Sequence, residues 1–169
     1  MAIFNILKNR LFKGVVDLPR GELMPELDVL GKELKRMVDR RFKGSLHIRE
    51  VDTGSCGACE SEIIAITNPI YDIQRFGVNF VASPKHADAL LVTGPVSRNM
   101  LVALQKTYAA MPGDKFVIAL GDCALHGGLF KESYYTLGGV DKVLKVDLRI
   151  PGCPPSPITI IKHLLAFLA

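Results

Sequence analysis

Ser45–Thr67 reads SLHIREVDTGSCGACESEIIAIT, and its character changes twice. Ser45–Val51 alternates as a short strand does and runs straight into Thr53-Gly54-Ser55-Cys56. After Cys59, Glu60–Thr67 has the composition of a helix and stops at Asn68-Pro69, because the residue before a proline is pushed out of helical geometry. The stretch therefore predicts a strand, a loop holding two cysteines, and a helix.

Downstream the same alternation repeats. Val78–Val81 is a strand candidate, and Ala87–Thr93 is a continuous apolar strand ending in Gly94-Pro95. A helix follows from about Ser97 to Met111, with Leu101, Leu104 and Tyr108 on one face. Lys115–Leu120 predicts a buried strand that delivers Gly121-Asp122-Cys123. Lys142–Val146 reads as a last strand, and Ile158–Leu168 as a closing helix after the loop Pro151-Gly152-Cys153-Pro154-Pro155. Alternating units of this kind predict an α/β fold, a parallel sheet with helices on both faces. In such sheets ligands sit outside the carboxyl ends of the strands. Cys56, Cys59 and Cys123 each follow a strand directly, and Cys153 follows one after a short extension, so the four loops would meet at one edge.

These four are the only cysteines, and each stands beside glycine or proline rather than inside an apolar run. Three chemistries compete for them. Two disulfides satisfy the even count. Met1–Lys13, however, is broken by Asn5, Lys8, Asn9 and Arg10 and has no long apolar core of a secretory signal, which argues against an oxidising compartment. Tetrahedral zinc is better served by two closely spaced pairs, whereas only Cys56-Gly57-Ala58-Cys59 is a pair here. A [4Fe–4S] cluster takes thiolates from scattered loops, and a Cys-Pro ending such as Cys153-Pro154 is a recurring feature of cluster ligation. The spacing favours the cluster and leaves zinc open.

Length and composition fit one domain: 169 residues, 49% hydrophobic, with no uninterrupted apolar run of about 18 residues that could cross a bilayer. Net charge is +4, and residues 1–43 carry ten Lys/Arg against six Asp/Glu while residues 44–169 carry eleven of each. The excess lies in an N-terminal arm. It is not interleaved with stacking aromatics and shows no binding motif, so no nucleic-acid partner is expected. In the arm, Ile3, Phe4, Ile6, Leu7, Leu11, Phe12, Val15 and Val16 recur at helix-like intervals up to Pro19-Arg20-Gly21. A second periodic set is Leu27, Leu30, Leu34 and Met37. The arm reads either as two surface helices with solvated charged faces or as a basic attachment to a partner or an anionic membrane surface.

The motifs carry a resemblance. Ser55-Cys56-Gly57-Ala58-Cys59-Glu60-Ser61-Glu62-Ile63-Ile64 resembles the ligand loop of [NiFe]-hydrogenase small subunits. Asn68-Pro69-Ile70-Tyr71-Asp72-Ile73-Gln74-Arg75-Phe76-Gly77, Ser83-Pro84-Lys85-His86-Ala87-Asp88, Val92-Thr93-Gly94-Pro95-Val96 and Ile150-Pro151-Gly152-Cys153-Pro154-Pro155 resemble the membrane-bound, energy-converting branch of that family. That branch is related to the cluster-bearing subunit of respiratory complex I and to membrane-bound sulfur reductases. The Cys-x-x-Cys spacing resembles the hydrogenase or sulfur-reducing side rather than complex I, whose subunits have two adjacent cysteines there. Gly57-Ala58 stand where the branch often has Asn-Gly, which leaves ligation intact.

The resemblance implies a flavodoxin-like domain over residues 44–169, preceded by the helical arm of residues 1–43. It implies one [4Fe–4S] cluster held by Cys56, Cys59, Cys123 and Cys153, with no catalytic residue in this chain. A NiFe centre would lie on a catalytic large subunit, with a ferredoxin-like cluster subunit and membrane-arm subunits as further partners. The place implied is peripheral, on the cytoplasmic face of the cell membrane. His126 becomes a candidate to tune the cluster, and Arg75 and Arg149 possible counter-charges. Glu60 and Glu62 are either helix-start carboxylates that favour the positive end of the dipole or residues facing the large subunit.

Overall fold

The computed structural model describes residues 25–169, so the periodic stretch Ile3–Val16 lies outside the described residues. Helix α1 (Pro25–Phe42) precedes strand β1 (Leu46–Asp52) and helix α2 (Ala58–Ile66). Strands β2 (Val78–Phe80) and β3 (Ala89–Thr93) follow, then α3 (Leu101–Ala110), β4 (Phe116–Leu120), the short α4 (Asp122–His126), β5 (Leu148–Ile150) and α5 (Pro157–Leu168). The five strands form one sheet in the order β2-β1-β3-β4-β5, and every neighbouring pair is parallel. This is the flavodoxin-like order, and the direction of winding reverses between β1 and β3.

Two apolar layers sandwich the sheet. On one face Leu27, Leu34 and Val38 of α1, Ile63 and Ile66 of α2, and Ile160, Ile161, Leu164 and Leu168 of α5 pack against Leu46, Ile48, Leu91, Ile118 and Ile150. The second periodic set of the arm is thus a helix whose apolar side belongs to this core. Glu26 also pairs with Lys162 of α5 at 2.6 Å. On the other face Val51, Leu90, Val92, Val117 and Ala119 meet Leu104 of α3, with Leu101 and Tyr108 partly buried beside it. All five residues of β3 are buried, as a central parallel strand requires. Each Leu or Val side chain so withdrawn from water contributes about 1.5–3 kcal/mol.

The last strand differs from expectation. Val140–Lys142 is a 3-10 turn, and Val143, Leu144 and Val146 pack against the second core without joining the sheet. Pairing begins only at Asp147, whose N–H donates to the Val117 carbonyl at 2.9 Å while its carboxylate accepts from the Val117 N–H at 2.9 Å. Alternation at residues 142–146 therefore reports side chains that pack under a loop, and β5 is Leu148–Ile150. The helix expected from Ser97 starts at Leu101, because Ser97 is held by Thr53 and bridges Thr136.

Candidate metal centre at the carboxyl edge of the sheet

Correcting β5 brings Cys153 closer to its strand. Cys123 stands three residues past the end of β4, and Cys153 stands three residues past the end of β5. Cys56 lies in the loop leaving β1 and Cys59 in the first turn of α2. All four thus sit at the carboxyl edge, and none is in a disulfide. Cys56 and Cys153 are exposed; Cys59 and Cys123 are partly covered.

Gly121 joins three of the loops. A β-carbon there would lie 2.7 Å from Cys59 Sγ and 3.3 Å from the Gly152 carbonyl, at a φ of +85° that glycine accepts without strain. Its N–H donates to the Ile150 carbonyl at 2.8 Å, carrying the β4–β5 ladder beyond the strands. Next along, the Asp122 N–H donates to the Gly152 carbonyl and Asp122 Oδ1 accepts from the Gly152 N–H, both at 2.9 Å. Gly128 closes the far side, where a β-carbon would lie 2.7 Å from Cys123 Sγ.

The Cys56 loop is fixed from below. Asp52 Oδ1 accepts from the N–H groups of Gly54 and Ser55 at 2.8 and 2.7 Å. The fully buried Thr53 donates its hydroxyl to the Thr93 carbonyl at 2.7 Å and lies 3.2 and 3.3 Å from the carbonyls of Gly94 and Pro95. That tie bridges β1 and β3 where the winding reverses, the place at which open sheets hold ligands.

The thiols feel one another. Burial pushes the Cys59 thiol up to about 12, helped by the Glu60 carboxylate and by Cys123, Cys56 and Cys153. Burial also raises Cys123, with Cys153 and Cys56 adding to it and a hydrogen bond from the Leu129 backbone pulling it back. Such thiols stay protonated at neutral pH unless a cationic centre takes the charge. Among the described residues, no three His, Cys, Asp or Glu side chains are drawn tightly enough around one point to grip a single ion.

Of the auxiliary candidates, Arg75 is not at the site. It pairs with Asp28 of α1 at 2.9 Å and stacks over Phe76. Arg149 is exposed on β5. His126 is exposed at the end of α4, where its Nδ1 accepts from the Gly128 N–H at 3.4 Å. Glu60 stands in the first turn of α2, and both its carboxylate oxygens are shielded with no hydrogen-bond partner among the described residues. Glu50 faces it, its carboxyl raised by burial and then by Glu60. The sequence reading passed over Asp52, Thr53 and Asp122. The available signal was an aspartate in two of the three cysteine loops, Asp52 two residues before Gly54 and Asp122 directly after Gly121, a side chain that commonly accepts from nearby backbone N–H groups.

The fold and site define a flavodoxin-like α/β domain that carries four free cysteines on loops leaving three strand ends. Residues 56–167 match the family described as "NADH ubiquinone oxidoreductase, 20 Kd subunit", and the chain belongs to that family. It is 42% identical over 124 residues to formate hydrogenlyase subunit 7 of Escherichia coli, covering 73% of this chain and 49% of that one. It is 48% identical over 111 residues to the probable membrane-bound hydrogenase subunit mbhJ of Pyrococcus furiosus, covering 66% of each. Among solved structures, a chain of the membrane-bound sulfane sulfur reductase, an archaeal respiratory membrane complex, superposes with a TM-score of 0.66 at 32% identity, covering 78% of this chain and 75% of that one. The chain is accordingly an electron-relay subunit of a hydrogenase- or complex I-like oxidoreductase, not its catalytic subunit. Among the described residues, no helix is long and apolar enough to cross a membrane.

Proposed function

We propose that Cys56, Cys59, Cys123 and Cys153 hold one [4Fe–4S] cluster, and that the chain is the small subunit of a membrane-bound, energy-converting [NiFe]-hydrogenase-type complex. The observation that carries this is the meeting of the cysteine loops around Gly121 and Gly152. The donor set suits the group: four soft thiols from three loops, of which Cys59 and Cys123 are pushed up by burial, a cost that a cationic core would relieve. When bound, the cluster supplies one-electron relay. The protein's part is to orient the sulfurs and offer backbone N–H groups such as that of Leu129 towards them. Catalysis belongs to a large subunit, with a NiFe centre, beside the cysteine edge. A ferredoxin-like subunit would exchange electrons with the relay, and membrane-arm subunits would hold the assembly on the cytoplasmic face.

The likeness to the sulfane sulfur reductase chain favours a second reading, the same relay beside a sulfur-reducing partner. Turnover assays separate the readings. The isolated chain should reduce neither protons nor sulfane sulfur, and activity should appear on adding the large subunit, its substrate naming the complex. Turnover by the chain alone would overturn the relay. The basic arm within residues 1–43 is proposed as an attachment: deleting residues 1–20 should leave the cluster domain folded but reduce co-sedimentation with the membrane. Unchanged co-sedimentation and activity would make the segment dispensable.

A further inference from the structure

We propose that Asp122 is the positioning residue that fixes the Cys123 loop against the Cys153 loop, so that both sulfurs reach the same metal centre. The inference rests on the ligand assignment just proposed and adds a residue outside the ligand set. Asp122 and Gly152 exchange two hydrogen bonds, one from backbone to backbone and one from backbone to carboxylate, both 2.9 Å. Each residue immediately precedes a cysteine, so the pair sets the separation of the two loops at the point where the sulfurs leave the chain. Among the described residues, the regular β4–β5 register ends at Leu120 and Ile150, and beyond it the Gly121 N–H bond to the Ile150 carbonyl joins the Asp122–Gly152 pair in linking the two loops.

Asp52 makes a useful contrast. Its carboxylate also accepts backbone N–H groups, from Gly54 and Ser55, but both belong to its own loop. Asp122 acts across two loops separated by thirty residues of chain. Gly152 has a φ of +137°, so the N–H that Asp122 accepts is presented by a backbone turn that other residues rarely adopt. Asparagine at position 122 keeps an oxygen in place to accept this bond, whereas alanine removes it.

The test uses the full chain purified anaerobically as wild type, Asp122→Asn and Asp122→Ala. Two readouts are taken: the rate at which metal is lost to a chelator, and the EPR spectrum of the reduced protein, with circular dichroism confirming that all three are folded. Loss of a group that orients ligands typically costs ten- to a hundredfold in metal affinity. Asp122→Ala should therefore release metal about tenfold faster or more and show an altered spectrum, while Asp122→Asn should stay within about threefold of wild type. Wild-type retention and spectrum in Asp122→Ala would overturn the proposal. So would equal impairment of both variants, which would assign the effect to charge rather than to the bond. If the wild-type thiolates prove to hold a metal other than a cubane, the cluster reading falls. The retention comparison then still decides the role of Asp122, since the same two loops must be held.

Discussion

The middle of the sheet and its carboxyl edge are built by different forces. In β3 and β4 the strands are held by burial: Leu91, Val92, Ile118 and Leu120 have at most 1% of their surface exposed. At the carboxyl edge, side-chain hydrogen bonds take over, from Asp52 and the buried Thr53 at the end of β1 and from Asp122 beyond β4, beside four free cysteines. The middle confers stability without specifying a reaction. The edge is where the proposed cluster would sit.

The sharpest way to break this comparison is at the sulfurs. Cys123→Ser or Cys153→Ser should lose or convert the cubane and abolish electron transfer while the apo-domain stays folded, as read by EPR and circular dichroism. A normally reducible [4Fe–4S] signal in either variant would remove that cysteine from the ligand set. The converse test lies in the core. Ile118→Ala should cost about 2–5 kcal/mol in denaturant unfolding, because the cavity does not collapse fully, yet leave the EPR spectrum of the folded fraction unchanged.

Gly121→Ala should act at the boundary between the two regimes. The new methyl would meet Cys59 Sγ at 2.7 Å, at a φ of +85°. We expect a loss of about 1–3 kcal/mol, together with weaker metal retention than Ile118→Ala shows. Equal retention in both would mean that the Cys59 sulfur moves aside freely.

A smaller effect is expected at Glu50, whose carboxyl is raised above its ordinary value of 4.5 by burial and by Glu60. The folded chain binds this proton more tightly than the unfolded one. The associated stability is therefore fully present below pH 4.5 and is lost as pH rises through the folded value. Glu50→Gln should raise the Tm relative to wild type at pH 7, and the difference should vanish below pH 4.5. A difference that does not change with pH would assign the effect to packing.

Much of this was legible in the residues. Ala87–Thr93 and Lys115–Leu120 are largely apolar runs each ended by a glycine, and burial on both sides leaves a strand little alternative. The cysteines were legible because their glycine and proline neighbours cannot be explained by core packing. Lys142–Val146 misled because partial burial under a loop imitates alternation, whereas the true strand, Leu148–Ile150, is only three residues long. Arg75 was open until the structure supplied Asp28, a partner forty-seven positions away that no local pattern encodes. Asp122 was missed for the same reason: its partner Gly152 becomes a neighbour only once β4 and β5 lie side by side.

The central claim is that four cysteines at one sheet edge hold a single cubane. Mössbauer spectroscopy of the full chain, expressed with ⁵⁷Fe and purified anaerobically, tests it most directly. The account predicts the spectrum of one [4Fe–4S] cluster with about four irons per chain, absent from the Cys123→Ser variant. A chain containing zinc and no iron, or iron whose spectrum is unaffected by that substitution, would contradict it.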